Sequence, residues 1–434
     1  RMAKRKTRNP DHVRRKNVPG PDNEAIEAQL SDLVSPALAN QLAYYRQLGL
    51  RSRILNLPLM VAAVLTMLWR QVPSVHELTR LLAREDLLWC QAVKVSQQAL
   101  SQRFLSFPAV LFEGVLKDLL PELHQRWQAR QNRPLPESVA YARQHFAQLW
   151  VVDGSTLEAL FRKLKVLAEV PVGQLAGKIG TVVDLVTRLP VEIWFEEQPK
   201  SHESNFMPAL LALVKAKTLL MVDRGFYDFK FFAALIEQEV AFITRPKRNA
   251  FWIGHQLLSR SATVTDQIIF LGTGTQGQPV LKLRLIEVRF GQVWYQYLTS
   301  VLDPTVLPPL VVADLYRRRW RIEEAFNTTK RLLNLSYLWT GSLNGIQLQI
   351  WATWLFYALL VDLGDAVADR IGVPFERISL EMLLRGLYHF SRAYSRGLAA
   401  DPVAYFADPA NQDLGVVKAL RKPISRLDLS PFPP

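Results

Sequence analysis

The sequence contains a single cysteine, Cys90, among its 434 residues. An internal disulfide or a zinc site built on several thiolates is therefore excluded, and the composition fits a reducing compartment. Long hydrophobic runs are also missing, because the two longest apolar stretches, 57–69 and 351–363, fall short of the ~20 residues that a membrane span needs. We expect both stretches to be buried helices of a cytoplasmic protein, since no apolar signal region follows the N-terminus.

Acidic residues are outnumbered by basic ones, 39 against 53, which leaves a formal net charge of +14. Eight of the basic residues and only one acid lie within residues 1–16. We predict that residues 1–21 form a disordered basic arm that can lie along a polyanion. The rest of the chain is still basic, which favours a nucleic-acid partner over a basic protein without one.

The segment 22–145 places apolar residues at three- and four-residue intervals and predicts a helical domain. Two short helices are expected, one after Ser74 and one after Ser96, and both serines are good N-cap residues. Such a pair suits a helix-turn-helix, in which the second helix reads base edges. The side chains that could do so are Gln98, Ser101, Gln102 and Arg103. An ordinary helical bundle with a polar outer face explains the same pattern equally well.

From residue 146 the pattern changes to strands alternating with helices, which indicates a mixed α/β sheet with helices on its faces. Two predicted strands, 149–152 and 219–222, are runs of four apolar residues, and they end at Asp153 and Asp223. Two central strands that end in acids place both carboxylates at one edge of the sheet. Either aspartate alone is more often a turn residue, so the repetition is what favours a functional site.

Residues 240–293 are rich in β-branched and aromatic residues and predict a β-strand insertion in the α/β domain. The strands expected in and just after this segment are 240–244, 263–271, 280–289 and 293–299. The segment 272–277 has the glycine spacing of a dinucleotide-binding loop, but strands flank it on both sides. A dinucleotide site requires a helix after the glycines, so we interpret 272–277 as a hairpin turn.

A helix predicted over 314–330 carries the third acid. At about 100° per residue, four polar side chains fall within a stripe roughly 60° wide: Tyr316, Arg319, Glu323 and Lys330. Apolar side chains form the neighbouring stripe: Leu315, Ile322, Phe326 and Leu333. The polar stripe thus borders the buried face of the helix. The alternative is a solvated surface on which Arg319 and Glu323 form an i,i+4 ion pair.

Carboxylates from three separate segments are hard oxygen ligands, which select Mg²⁺ or Mn²⁺. Two such ions about 3.5–4 Å apart would activate a water or a 3′-hydroxyl and stabilise the leaving oxygen of a phosphodiester. An arginine, a lysine and a tyrosine hydroxyl beside the acids would hold neighbouring phosphates. The sequence pattern therefore favours metal-dependent chemistry on nucleic acid.

The third acid also lies in a recognisable motif. Four residues fit the pattern Y-x-x-R-x-x-x-E-x-x-x-x-x-x-K, namely Tyr316, Arg319, Glu323 and Lys330. The sequence thereby resembles the insertion-sequence-four family of bacterial DDE transposases. Further matching segments, in the family's order, are 153–156, 177–178 and 223–226, and the resemblance covers residues 146–345. It implies a ribonuclease-H-like catalytic core with a β-strand insertion before the last acid.

The resemblance also implies roles for individual residues. The catalytic and metal-binding acids would be Asp153, Asp223 and Glu323, with two Mg²⁺ or Mn²⁺ ions between them. Residues expected at the DNA are Tyr316, Arg319, Lys330 and Arg224. Family members stack a tryptophan on a base flipped out of the duplex, whereas this sequence has Tyr295 at that position and Trp294 beside it. On a strand these two rings would face opposite sides.

The expected activity is that of a cut-and-paste DNA transposase, associated with the nucleoid, that binds the terminal inverted repeats of its element and the target DNA as a homodimer. The alternatives are a ribonuclease-H-like nuclease for branched or hybrid nucleic acid and a decayed copy that only binds DNA. The expected divisions of the chain are the basic arm 1–21, a helical DNA-binding domain 22–145, the first part of the core 146–239, the β insertion 240–293, the second part of the core 294–362 and a C-terminal helical region 363–434.

Overall fold

The computed structural model describes residues 24–50, 53–156, 177–198, 201–275, 277–333, 335, 339, 342–418 and 426–433. The predicted basic arm lies outside the described residues. Helices come first along the chain: α1 (Glu24–Gln47), α2 (Leu57–Trp69), α3 (Val75–Leu82), α4 (Gln97–Ser106), α5 (Ala109–Ala129) and α6 (Glu137–Ala142). Almost every residue of α2 is buried, which confirms the expectation for its apolar run.

Both predicted short helices, α3 and α4, are present and begin where their caps place them. The Ser74 hydroxyl accepts a hydrogen bond from the Glu77 backbone N–H, and the Ser96 hydroxyl accepts one from the Ala99 N–H. Between the helices, residues 83–96 form a longer connection than the three- or four-residue turn of a helix-turn-helix. The helices are confirmed, but the pair does not have the spacing of that motif.

A mixed sheet forms the centre of the protein, which confirms the α/β class. Its strands are β1 (Gln148–Thr156), β2 (Lys178–Asp184), β3 (Pro190–Glu196), β4 (Thr218–Val222), β5 (Ala241–Thr244), β6 (Trp252–Arg260), β7 (Val264–Leu271), β8 (Leu281–Phe290) and β9 (Val293–Thr299). They lie in the order β3-β2-β1-β4-β5-β9-β8-β7-β6. Two pairs of neighbouring strands, β1–β4 and β4–β5, are parallel. All the other pairs are antiparallel.

The strands of the predicted insertion extend this same sheet, because β9 pairs with β5 and β8, β7 and β6 follow in turn. Within the range 240–293, β5 is a parallel neighbour of β4. The strand β6 was not expected from the sequence. It lies at the end of the sheet with Ile253 and Leu257 exposed, so its apolar residues do not follow the alternation of a half-buried strand.

A fully buried ion pair joins two of these strands to the chain that precedes the next helix. Arg284 in β8 donates from Nε and Nη2 to the two carboxylate oxygens of Asp266 in β7, at 2.7 and 2.6 Å. Its Nη1 donates to the Leu307 carbonyl at 2.7 Å. Burial raises the pKa of Asp266, and the guanidinium opposes that rise by stabilising the charged carboxylate.

The remaining helices are α7 (Met207–Leu213), α8 (Phe229–Glu237), α9 (Pro309–Arg318), α10 (Arg321–Asn327), α11 (Leu343–Ile371), α12 (Leu380–Ser395) and α13 (Pro402–Ala407). The single helix expected over 314–330 is interrupted. It breaks between α9 and α10 at Arg319 and Trp320, and a π-helical turn, Thr328–Leu332, follows α10. The single straight helix is therefore wrong, but Tyr316, Arg319 and Lys330 still face one region, because each lies within electrostatic reach of Asp153 or Asp223.

The helix α11 contains the second apolar run of the sequence. Among the described residues it is the helix long and apolar enough to cross a membrane, but 83% of its most apolar window is buried inside the protein. It packs along α5, where Arg130 contacts Asp362 at 2.8 Å and Asp365 at 3.0 Å. The burial confirms the expectation of a buried helix for 351–363.

Candidate active site

Asp153 and Asp223 lie at the carboxyl edge of two neighbouring parallel strands. The apolar runs 149–152 and 219–222 are buried and pair in register, so the aspartates follow at equivalent positions. Sheet geometry therefore brings these two predicted acids together. Arg224, the next residue after the second aspartate, is exposed at the same edge.

Both carboxylates are held in an environment that disfavours their charged form. Burial raises the pKa of Asp153 to about 6, since Arg319 only partly offsets it and the charge of Asp223 adds to it. Burial also raises the pKa of Asp223, and the nearby carboxylate of Glu203 raises it further. A cation placed between these acids would therefore gain more than it would beside solvated carboxylates.

Arg319 reaches the acids from the break between α9 and α10. Its Nη1 donates to Asp153 Oδ2 at 2.8 Å, and both side chains are mostly buried, with 15% and 12% exposed. Burial alone would lower the pKa of Arg319. The negative charge of Asp153, with smaller contributions from Tyr316 and Asp223, outweighs the effect of burial, so the pKa of Arg319 is raised. Arg319 therefore pairs with Asp153 and not with Glu323, the i,i+4 partner of the alternative interpretation.

Lys330 and Glu323 complete the predicted motif on the far side of the break. Lys330 forms a hydrogen bond with the Ser155 hydroxyl, two residues beyond Asp153 in β1. Burial lowers the pKa of Lys330, while the charges of Asp153 and Glu323 oppose that shift. Lys330 therefore lies within electrostatic reach of two predicted acids that come from different parts of the chain.

The acids fit a divalent cation only in part. Across the described ranges, no group of three or more His, Cys, Asp or Glu side chains is close enough to hold a metal ion. Asp153 and Asp223 supply oxygen ligands of the kind that Mg²⁺ prefers, and burial raises both of their pKa values by disfavouring the charged carboxylates. The expected assembly of three acids, with Glu323 as the third, is thus not present in this conformation.

An aromatic surface continues from the site along β9. The rings of Tyr316 and Tyr297 are 5.6 Å apart, and Tyr295 lies two residues further along the same face of the strand. Trp294, 45% exposed, lies on the opposite face. Of the two aromatic residues that the sequence left open, Tyr295 is the one that shares a face with Tyr316.

Arg245 belongs to this surface but was not among the sequence-predicted residues. Its guanidinium lies 5.7 Å from the centre of the Tyr295 ring, and its Nε is buried without a hydrogen-bond partner in the described part of the chain. Arg245 directly follows β5, just as Asp153 and Asp223 directly follow the apolar runs of β1 and β4. That shared position at the end of a parallel strand is the sequence signal that could have identified it.

The predicted base-reading residues of α4 have different surroundings. Gln98 and Gln102 are exposed, and Ser101 is half-buried. Arg103 instead donates from Nε to the Leu55 carbonyl at 3.1 Å and from Nη2 to the Tyr45 hydroxyl at 3.0 Å. Because Arg103 is hydrogen-bonded inside the helical domain, only Gln98 and Gln102 of the four predicted base-reading residues are exposed.

Comparison with known proteins identifies similar sequences among transposases. Residues 173–359, less than half of the chain, match the family profile described as the transposase DDE domain. A protein from Sinorhizobium fredii with the provisional name transposase y4zB is 24% identical over 40% of this chain and 50% of its own length. A protein from Geobacillus stearothermophilus, provisionally named a transposase for insertion sequence element IS5377, is 27% identical over 38% of this chain and 45% of its own.

The chain thus spans about half the length of these curated relatives. The matched range contains Asp223 and Glu323, and it includes the broken helix with Tyr316, Arg319 and Lys330. The mixed sheet with its paired acids is consistent with the same class of protein. The domain match and the relatives together support a DDE transposase.

Proposed function

We propose that this protein is a DDE transposase of the insertion-sequence-four type, which cuts DNA at the ends of a mobile element and joins the freed ends to target DNA. One observation carries the proposal. Asp153 and Asp223 directly follow the paired segments of β1 and β4, at equivalent positions, and Arg319 of the family motif bonds directly to Asp153. The strand order β3-β2-β1-β4-β5 supports the ribonuclease-H-like core that the resemblance implies.

The acids and the cationic residues would divide the work. Asp153 and Asp223, joined by Glu323, would hold Mg²⁺ or Mn²⁺, which when bound supplies activation of a water or 3′-hydroxyl and stabilisation of the leaving oxygen. Arg319 and Lys330 would donate to phosphates from the edge of the acid pair, where Arg319 is held by Asp153 and Lys330 by Ser155. Both cations already lie beside Asp153, so they hold a phosphate next to that acid.

The surface around Tyr316 would hold the DNA end. Tyr295 offers a ring on the site's face for an extruded base, and the Arg245 guanidinium lies 5.7 Å from the centre of that ring. We further propose that α4 contacts the terminal inverted repeats through Gln98 and Gln102. Two copies of the chain would act as a homodimer on DNA. The divisions of the chain given above would separate DNA binding from catalysis. The compartment would be the bacterial cytoplasm.

The decisive experiment compares Glu323→Gln with Glu324→Gln. The first removes a charge that acts on Lys330, whereas Glu324 is exposed and pairs with Arg321 at 2.5 Å. DNA carrying the ends that flank the coding region is incubated with each variant in Mg²⁺. We expect Glu323→Gln to bind this DNA without cutting it and Glu324→Gln to cut like the original protein. Mg²⁺-dependent cutting by Glu323→Gln would remove Glu323 from the site and contradict the proposal.

A further inference from the structure

Glu203 is an acid at the site that no motif explains. It begins a short 3₁₀ turn, Glu203–Phe206, and its Oε1 lies 3.0 Å from Lys178 Nζ at the start of β2. The Lys178 amine also donates to the Ser201 carbonyl at 3.0 Å. Lys178 is 9% exposed, so a buried amine holds this carboxylate in place through an ion pair.

The carboxylate of Glu203 fills space that two glycines leave open. A Cβ added to Gly225 would lie 1.4 Å from Glu203 Oε2, which no rearrangement short of moving that side chain can accommodate. A Cβ added to Gly154 would lie 2.8 Å from Glu203 Cγ. Each of these glycines stands one or two residues after an acid of the site, Asp153 or Asp223. The glycines thus let one side chain pack both against β1 beside Asp153 and against the turn that carries Asp223.

Contacts to the turn after β4 and to the strands β1 and β2 make Glu203 a bridge across the carboxyl edge of the sheet. The turn after β4 is otherwise held locally, by the Gly225 N–H that donates to Asp223 Oδ1 at 2.8 Å. Lys178 belongs to β2, which is hydrogen-bonded to β1 and faces Thr156 there. The Lys178–Glu203 pair therefore connects the turn that carries Asp223 to the strand pair that carries Asp153.

We infer that Glu203, held by Lys178, is a positioning residue that fixes the Asp223 turn relative to Asp153. This inference rests on the proposed transposase function, because it assigns a purpose to the spacing of that acid pair. Reacting groups displaced by ~1 Å can lose ~100-fold in rate. A side chain that sets the separation of the two acids should act on the cutting rate and not on DNA affinity.

The test uses the full chain and four variants: Glu203→Ala, Glu203→Gln, Gly225→Ala and the double variant Gly225→Ala with Glu203→Ala. Single-turnover cutting is measured at saturating DNA and saturating Mg²⁺, and DNA affinity is measured separately. We expect Glu203→Ala to lower the cutting rate by about 10- to 100-fold with affinity unchanged. Glu203→Gln keeps the shape and an acceptor for Lys178, so it should restore most of the rate.

Gly225→Ala should also lower the rate, because its new Cβ displaces the Glu203 carboxylate. The double variant should then be no slower than Glu203→Ala alone, since the two changes remove one interaction. The matched control is Glu197→Ala, an exposed acid near the same edge of the sheet, which should cut normally. Melting temperatures identify a variant that fails to fold, and Glu203→Gln keeps the test decisive in that case.

Three results would overturn the inference. The first is normal cutting by Glu203→Ala, and the second is a double variant whose losses simply multiply. The third is a normal maximal rate that requires more Mg²⁺, which would make Glu203 a determinant of cation affinity instead. Asp153→Asn separates the two proposals: if it also cuts normally, the proposed function fails, whereas an inactive Asp153→Asn beside an active Glu203→Ala contradicts only the positioning role.

Discussion

Replacing Arg319 by alanine removes a charge that has two competing partners. In this structure its guanidinium bonds to Asp153 at 2.8 Å, and in the proposed complex it donates to a DNA phosphate. A charge already neutralised by a carboxylate contributes little to DNA binding. We therefore predict that Arg319 contributes to DNA affinity only when a divalent cation takes its place beside Asp153.

The size of the effect follows from the salt dependence of DNA binding. Each phosphate contact adds about 0.9 to the slope of log affinity against log salt concentration. With a divalent cation present, Arg319→Ala should reduce that slope by about 0.9, which is a roughly 3.5-fold change in relative affinity between about 50 and 200 mM salt. With the cation chelated, the slopes of Arg319→Ala and the original protein should be nearly equal.

Fluorescence anisotropy with labelled end DNA measures both slopes, once in EDTA and once in Ca²⁺ as an oxygen-seeking cation. Arg317→Ala is the matched control, because Arg317 is 74% exposed and pairs with Asp314 outside the acid site. Its slope should differ from the original protein by the same amount in both buffers. An Arg319→Ala slope that changes equally with and without Ca²⁺ would refute the exchange between Asp153 and phosphate.

Three further predictions concern titration and packing. Because burial raises the pKa of Asp153 to about 6, its proton is retained below that pH and lost above it. The cutting rate should therefore rise with pH through about pH 6. About tenfold more Mg²⁺ should move the midpoint of the pH–rate profile to lower pH, since cation and proton compete for the carboxylate. A midpoint that ignores Mg²⁺ would place the titration elsewhere. Arg284→Ala should lower the free energy of unfolding by about 3–5 kcal/mol because Asp266 stays buried without its partner, whereas Arg284→Met with Asp266→Leu should recover most of it in urea denaturation. A double variant as unstable as the single one would show that lost packing dominates. Burial raises the pKa of Cys90 to about 11, so its alkylation by iodoacetamide at about pH 8 should be roughly a hundredfold slower than that of a free cysteine, and equal rates would contradict its burial.

Local patterns predicted the parts of the fold that local forces determine. The caps at Ser74 and Ser96 depend on residues three positions away, and both helices begin there. The acids that follow the apolar runs of β1 and β4 could be predicted because an apolar run followed by Asp is a local signal. That their carboxylates meet follows from parallel pairing of these strands, which the repeated pattern made the simplest arrangement.

Contacts between distant segments could not be read in the same way. The bond between Arg319 and Asp153 joins residues 166 positions apart, and it forms at a helix break that periodicity alone does not reveal. Glu203 had no motif of its own, because its importance comes from space beside Gly225 that exists only in the folded sheet. Its partner Lys178 had been singled out only through the family resemblance.

The contact of Arg284 with the Leu307 carbonyl has a consequence for protein engineering. The carbonyl lies just before α9, the helix that carries Tyr316, so the far strands of the sheet brace the start of that helix. Excising β7 and β8 to obtain a smaller protein would therefore also remove the support of the helix that carries Tyr316.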